Sequence, residues 1–459
     1  MISERIKLLR KKLIINKIDG YIIPKNDEFF GEYSTQDRLK TISNFDGSAG
    51  LAIILKDKNF LFVDGRYTIQ AKKQSGKNFK IIEIHKFLPY KIIKNLNIGF
   101  DPTLFTEKQL KVYFNNLSTL KPISENLIDE IYKKKITISK PFFSLNKKIT
   151  GESHISKIKK IVKKMEIHKA DYIFISAPEN VAWLLNIRGH DNPNSPIPNC
   201  RMIIGRKNGI FLFVDKKKVS KIIKEKKLNS YKIIKPDNFE TVIKNLKGKK
   251  FIIDSLTCSI KNENIIKSKF KIILKNDPCY KFKSVKNSTE IKNMINAHIE
   301  DGAALTKFIF WIKYKNKKKI TEIDAEKKLE KFRKMNKNYL FPSFNTIAGT
   351  GSNGAIVHYR ATKTSNKVIK KKDIFLCDSG GQYNFGTTDV TRTICFSRQK
   401  NSIKNIFTKV LKGHIAVVTT NINKFNKGKQ IDIRARQFLK KDGLDYAHGT
   451  GHGVGFFLN

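Results

Sequence analysis

Apolar residues recur at helical spacing at the start of the chain, at Ile2, Ile6, Leu9 and Leu13, with charged residues between them. The run KIDGYIIP (Lys17–Pro24) follows at once and is rich in β-branched and aromatic residues, which predicts a strand. The same order returns later, with a helix predicted over Ile155–Met165 and then KADYIFIS (Lys169–Ser176). Each copy leads to a strand pair ending in similar words, NFLFVD (Asn59–Asp64) and GIFLFVD (Gly209–Asp215). A helix, a strand, a loop and a β-hairpin that recur in this way predict two related α/β domains in tandem. We place them at residues 1–138 and 139–284, joined through the polar, Pro141-interrupted segment Lys133–Gly151.

A third region, residues 285–459, has a different rhythm. Ser288 and Thr289 are candidate caps for a helix with Glu290 in its first turn. Ile291, Met294, Ile295, His298, Leu305, Phe308, Ile309 and Ile312 then form a stripe of helical period. After a second helix over Glu322–Met335 come strands and glycine-rich turns, FNTIAGTGSNGAIVHY and DIFLCDSGGQYNFGTTDVTRTICF. Helices over Ile403–Thr420 and Ile431–Leu439 precede a strand-like segment, HGTGHGVGFFLN. Helices set against antiparallel strands predict an α+β unit, so the fold class is α/β plus α+β.

Composition narrows the field. A length of 459 residues calls for two to three cores, and a 40% apolar content supplies them. No apolar run approaches the roughly 18 residues of a membrane span, so no membrane partner is expected. The first residues carry no apolar h-region or small-residue cleavage site, and Glu4 argues against a transit peptide, so a cytoplasmic location is expected. Cys200, Cys258, Cys279, Cys377 and Cys395 are scattered without a CxxC pair, which excludes a disulfide framework and a thiolate zinc site. The net charge of +51 is almost all lysine, spread evenly and accompanied by abundant Ile and Asn, as in a genome biased to A/T-rich codons. No arginine-rich stripe with interleaved aromatics is present, so specific nucleic-acid binding is not expected, only salt-sensitive adhesion to polyanions.

Five residues stand out chemically. Asp378 follows the apolar strand Ile374–Cys377, and Asp389 opens Val390–Phe396, with Gly380, Gly381, Asn384 and Gly386 as turn residues between them. An antiparallel hairpin brings both carboxylates to one end, which is costly unless a cation sits between them. Two turn aspartates bonded to backbone N–H groups are the plain alternative. His448 and His452 are framed by Gly449, Gly451, Gly453 and Gly455, which disfavour a helix and suit an extended strand open to a ligand. His358, in GAIVHYRAT, is expected at the end of a strand after the turn Gly349–Gly354. That turn spells GxGxxG, but no helix is predicted after it to face a phosphate, so dinucleotide binding is rejected. No GxSxG elbow and no cysteine with a base is present, which leaves water activated by a metal as the simplest nucleophile.

Together these segments resemble the aminopeptidase P (Xaa-Pro aminopeptidase) family, in its three-domain form. The last region contributes KNSTEIKNM, AHIEDGAAL, SFNTIAGTGSNGAIVHY, DSGGQYNFGTTDVTRT, VLKGHIA and YAHGTGHGVGFFLN to this likeness. The second contributes NVAWLLNIRG and NPNSPIPN, and the first RLKTISNFDGSAG and VDGRYTIQA. The resemblance implies two tandem creatinase-N-terminal-like domains followed by a pita-bread catalytic domain.

It further implies a hydrolase that removes an N-terminal residue when proline is next, through water activated by two divalent ions, and a homodimer. Asp378, Asp389 and His452 resemble three of the family's five metal ligands. His358 and His448 resemble catalytic histidines that hold the substrate, and Arg66 resembles a substrate-binding position. The family's usual metal is manganese, while oxygen and imidazole donors also suit cobalt or zinc. In that family the sequence continues past HGTGHGVG to another histidine and two glutamates, which would lie beyond Asn459. The pita-bread domain is therefore expected to be incomplete here, and residues 1–459 to be inactive by themselves. The alternatives are a non-catalytic binding protein on the same fold and a prolidase-type dipeptidase.

Overall fold

The computed structural model describes residues 1–32, 36–132, 140–207, 209–225, 227–228, 230–315 and 319–458. The first sheet is built from β1 (Gly20–Pro24), β2 (Leu51–Leu55), β3 (Asn59–Val63), β4 (Lys80–Glu83), β5 (Asn97–Phe100) and β6 (Thr119–Pro122). Its order is β4-β3-β2-β1-β5-β6, with β2 antiparallel to both β1 and β3 and the other pairings parallel. Side chains alternate between two cores. Tyr21, Ile23, Ile54 and Leu61 join Leu9 and Leu13 of the first helix, whereas Ile22, Ile53, Phe62 and Ile98 pack on the other face. Because both faces are covered, the strands read as continuous apolar runs.

The second unit adds β7 (Phe143–Ser144), β8 (Tyr172–Ile175), β9 (Ile187–Arg188), β10 (Arg201–Gly205), β11 (Ile210–Phe213), β12 (Tyr231–Ile234), β13 (Lys250–Ile253) and β14 (Lys271–Leu274). Its main sheet runs β12-β11-β10-β8-β13-β14 with the same succession of parallel and antiparallel pairs. The repeated words of the sequence are thus a repeated topology. The helix expected at Ile155–Met165 runs over His154–Ile167, capped by Ser153. Of the expected linker, residues 133–139 lie outside the described residues, and the rest carries β7 and the short helix Lys147–Thr150.

Asp277 ends this unit and is fully enclosed. It caps the helix Pro278–Ser284 by accepting from the Cys279 amide, and also accepts from Asn180 Nδ2 at 2.7 Å. Burial pushes its carboxyl up to about 6, with the nearby Asp254 adding to the rise. A folded-state value above the unfolded value of about 3.9 means the native state holds the proton longer, so stability falls as pH rises from about 4 to 6. Asp277→Asn retains the cap and removes that loss, so denaturant titrations should show the variant gaining on the parent across this window. The gain should approach 3 kcal/mol, at about 1.4 kcal/mol per pKa unit, and a constant difference between the two would refute this account.

In the third region the long helix covers Ser288–Phe310. Its cap is Asn287 rather than Ser288 or Thr289, because Asn287 is the last extended residue and closes a capping box with Glu290. A second helix spans Glu322–Arg333, and two more span Asn401–Val418 and Gly428–Lys440, close to the expected limits. The strands here are β15 (Tyr339–Pro342), β16 (Ile347–Thr350), β17 (Ile374–Ser379), β18 (Gly381–Tyr383), β19 (Gly386–Thr387) and β20 (Val390–Cys395). They form two three-stranded sheets, β15-β18-β19 and β16-β17-β20. The two long helices are clamped to β17 by a buried ion pair. Arg333 donates to both oxygens of Asp301 at 2.6 and 3.0 Å and to Ser379 Oγ at 3.0 Å.

The strand expected at residues 448–459 does not form. The segment HGTGHGVGFFLN is irregular rather than a strand, since its glycines hold extended backbone weakly and it joins no ladder among the described residues. Among the described residues no helix is long and apolar enough to cross a membrane, and all five cysteines are free.

Candidate metal centre

The acidic pair is set by register. In the sheet β16-β17-β20, Asp378 lies opposite Ile347 on one side and Thr391 on the other. Asp389 precedes Thr391 by two residues and so shares its face of the sheet, which is also the face of Asp378. Asp378 is within β17 rather than after it, because the β17–β20 ladder continues to Ser379 and Val390. Gly380 lets the chain turn into β18 here, since a Cβ on it would lie 1.9 Å from the Thr388 carbonyl oxygen.

The two carboxylates are poorly matched to a protein-only environment. Among the described residues, Asp378 Oδ1 is buried and has no hydrogen-bond partner. Burial raises the Asp378 carboxyl above its usual range, and the neighbouring Asp389 raises it further, against a hydrogen bond with Thr391. Burial also raises Asp389, opposed by His452 and His298. His452 Nε2 stands 3.3 Å from Asp389 Oδ2 while Nδ1 lies 2.8 Å from the Gly453 carbonyl oxygen, and the ring is largely exposed. Among the described residues no set of three or more His, Cys, Asp or Glu side chains converges closely enough to hold a metal ion. The three residues therefore border one cleft without closing around a common point.

That cleft, about 610 Å³ in volume, is lined by Asp378, Asp389, His452, His358 and Arg66 among others. His358 sits in a turn after the short 3₁₀ helix Gly351–Ala355, not at the end of a strand. Glu322 explains the change: its carboxylate accepts from the Thr350 and Lys367 amides, Asn353 Nδ2 and the Tyr359 hydroxyl, which gathers the loop into a turn. Burial, with Arg66 adding to it, holds the His358 imidazole below its usual value. Arg66 is locked on Asp64 by a fork of 3.0 and 2.7 Å. His448 lies apart from the cleft. It is exposed, stacks on Tyr446 with ring centroids 4.6 Å apart, and borders a second cavity that shares Arg66.

Several residues near these groups were not singled out by pattern. Tyr67, next to Arg66 in VDGRYT, places its hydroxyl 2.5 Å from His358 Nδ1. His298 belongs to the apolar stripe of the long helix, yet its charge reaches Asp389. Gly65 packs directly under Ala447, where a Cβ would lie 2.4 Å from a carbonyl oxygen, so the first unit touches the histidine segment through bare backbone. Arg188, fully buried, donates to the carbonyl oxygens of Phe456 (3.0 Å), Phe457, Ala182 and Ile187, and Gln382 donates to that of Leu458 (2.9 Å). These bonds tie down the end of the segment that carries His452. Arg188 and Gln382 gave no periodic signal, because their partners are carbonyls distant in sequence.

Comparison with known proteins agrees with this layout. Residues 5–131 and 133–290 each match a creatinase/prolidase N-terminal domain, and residues 292–459 match metallopeptidase family M24. The fold and its acid-lined cleft thus define a metallopeptidase, a hydrolase with two creatinase-type domains ahead of its M24 domain. A probable Xaa-Pro aminopeptidase P of Laccaria bicolor is 36% identical over 489 residues, spanning 100% of this chain and 74% of that protein. Its counterpart in Sordaria macrospora is 35% identical and is covered to 79%. The X-prolyl aminopeptidase of Caenorhabditis elegans, described as a cytosolic enzyme with a di-nuclear active site, superposes over 100% of this chain and 81% of its own, with a TM-score of 0.91 and 28% identity. A prolidase from Pyrococcus horikoshii covers only 65% of the chain, with a TM-score of 0.51 and 25% identity. The chain belongs to the Xaa-Pro aminopeptidase P family.

Proposed function

We propose that the protein cleaves the bond between an N-terminal residue and a following proline, with Asp378, Asp389 and His452 contributing ligands to a pair of divalent cations. The observation that carries this reading is the buried, unpartnered Oδ1 of Asp378 beside a second raised carboxylate. An anion left so is costly by itself and is satisfied by a cation. When bound, such cations supply Lewis acidity, polarising a carbonyl and making water nucleophilic near neutral pH. The chain's own residues do the rest. The Gly453 carbonyl orients the His452 ring so that Nε2 faces Asp389. His358, neutral in its half-buried turn, and Arg66 border the space for the peptide, and His448 is assigned to the substrate across Arg66. Manganese is the proposed metal, a cytoplasmic location the proposed setting and a homodimer the proposed assembly.

Release of arginine from Arg-Pro-Pro by the native protein, stimulated by manganese and abolished by EDTA, is the expected result. Cleavage confined to dipeptides would make it a prolidase, and metal binding without any cleavage a binding protein.

A further inference from the structure

Polar side chains of the first unit reach His358 as a connected series. Glu32 Oε1 accepts from Ser48 Oγ at 2.7 Å, Ser48 Oγ lies 2.7 Å from the Tyr67 hydroxyl, and that hydroxyl lies 2.5 Å from His358 Nδ1. Each hydroxyl has one proton to give, and a neutral imidazole has one N–H. A carboxylate only accepts, so the Ser48 proton is directed to Glu32. The Ser48 oxygen then receives from Tyr67, which commits the phenol's only proton. The hydrogen between Tyr67 and His358 must therefore be the imidazole's own.

We infer that Glu32, Ser48 and Tyr67 are positioning residues that fix His358 as the Nδ1–H tautomer, leaving Nε2 as a hydrogen-bond acceptor in the cleft. Two further facts fit. Burial raises the Tyr67 phenol, against its contact with Ser48 and the charge of Arg66, so it keeps its proton at neutral pH. Burial and Arg66 lower His358, against Glu32 and Asp64, so it stays a neutral ring whose tautomer matters. The tautomer of a histidine is set by the partner of its other nitrogen, and here that partner lies 291 residues away in sequence. The consequence rests on the proposed role of His358 toward the peptide. An acceptor Nε2 suits an N–H or O–H of the ligand, such as a peptide's ammonium terminus, and not a carbonyl oxygen.

Long-range proton–nitrogen correlation on ¹⁵N-histidine-labelled protein, free of metal and peptide, tests this. The His358 signal is assigned among the nine histidines by its loss in His358→Gln. Nδ1 is expected at the shift of a protonated nitrogen and Nε2 at that of an unprotonated one. Glu32→Lys replaces the terminal acceptor by a group that only donates, which reverses every bond in the series and exchanges the two shifts. Tyr67→Phe removes the acceptor and should give the same exchange, while Ser48→Thr keeps the native pattern. Glu32 is exposed, so its variant leaves the core intact even where Tyr67→Phe disturbs it. An Nε2–H ring in the parent protein, or an Nδ1–H ring that persists in Glu32→Lys, overturns the inference. Failure to cleave Arg-Pro-Pro would count against the peptidase proposal and leave these shifts unchanged.

Discussion

Asp378→Asn should weaken manganese binding about a hundredfold or more while making the metal-free protein more stable. Altering even groups that merely support metal ligands costs about 10–100-fold in affinity, and this change removes the charge of a proposed ligand. The gain in stability has a separate origin. Asp378 Oδ1 is buried without a partner, and Asp389 adds like-charge repulsion. An amide in its place carries no charge to desolvate, which should return about 1–3 kcal/mol, the range for an unsatisfied buried polar group. Metal titration by the loss of the free-manganese EPR signal, and thermal unfolding in EDTA, measure the two effects. Unchanged manganese affinity in this variant would remove the metal centre from its proposed place. A fall in metal-free stability would show that Asp378 serves the strand structurally.

Loss of Arg333 should be the most damaging single change to the catalytic region. Arg333→Leu leaves Asp301 wholly buried without its ionic partner, keeping among the described residues the Tyr383 hydroxyl at 2.8 Å. Breaking such a pair from one side costs about 3–5 kcal/mol, which corresponds to a fall in melting temperature of about 10 °C for a unit of this size. Joint replacement of Arg333 and Asp301 by leucines should recover much of the loss, since neither charge is then stranded. Differential scanning calorimetry would decide it, and a double variant no better than the single one would disprove the account. Ser379, next to Asp378 in β17, also loses the Arg333 donor, so manganese affinity should fall alongside stability.

The register argument shows how far local pattern reaches. The alternation of strand side chains puts Asp378 and Asp389 on one face wherever β17 pairs with β20, and the turn residues between them make that pairing the natural one. The tandem repeat was legible for the same reason, because each copy encodes its own helix and strands in short apolar runs. Expectations failed where an element needed a distant neighbour. HGTGHGVGFFLN has the extended, glycine-rich composition of a strand but no ladder to join, and Arg188 and Gln382 hold its last carbonyls instead. His358 was expected on a strand, and Glu322 draws it into a turn.

From its sequence alone this protein was determined to have two related α/β units, an α+β region carrying an acidic hairpin, and the likeness that pointed to a peptidase. Periodicity and turn chemistry act within a few residues, so such features survive without knowledge of the whole. Only the tertiary structure decided that His448 stands apart from the carboxylates, and that the first unit reaches into the cleft to hold His358. Those outcomes depend on contacts between segments hundreds of residues apart, and packing, not local preference, selects them.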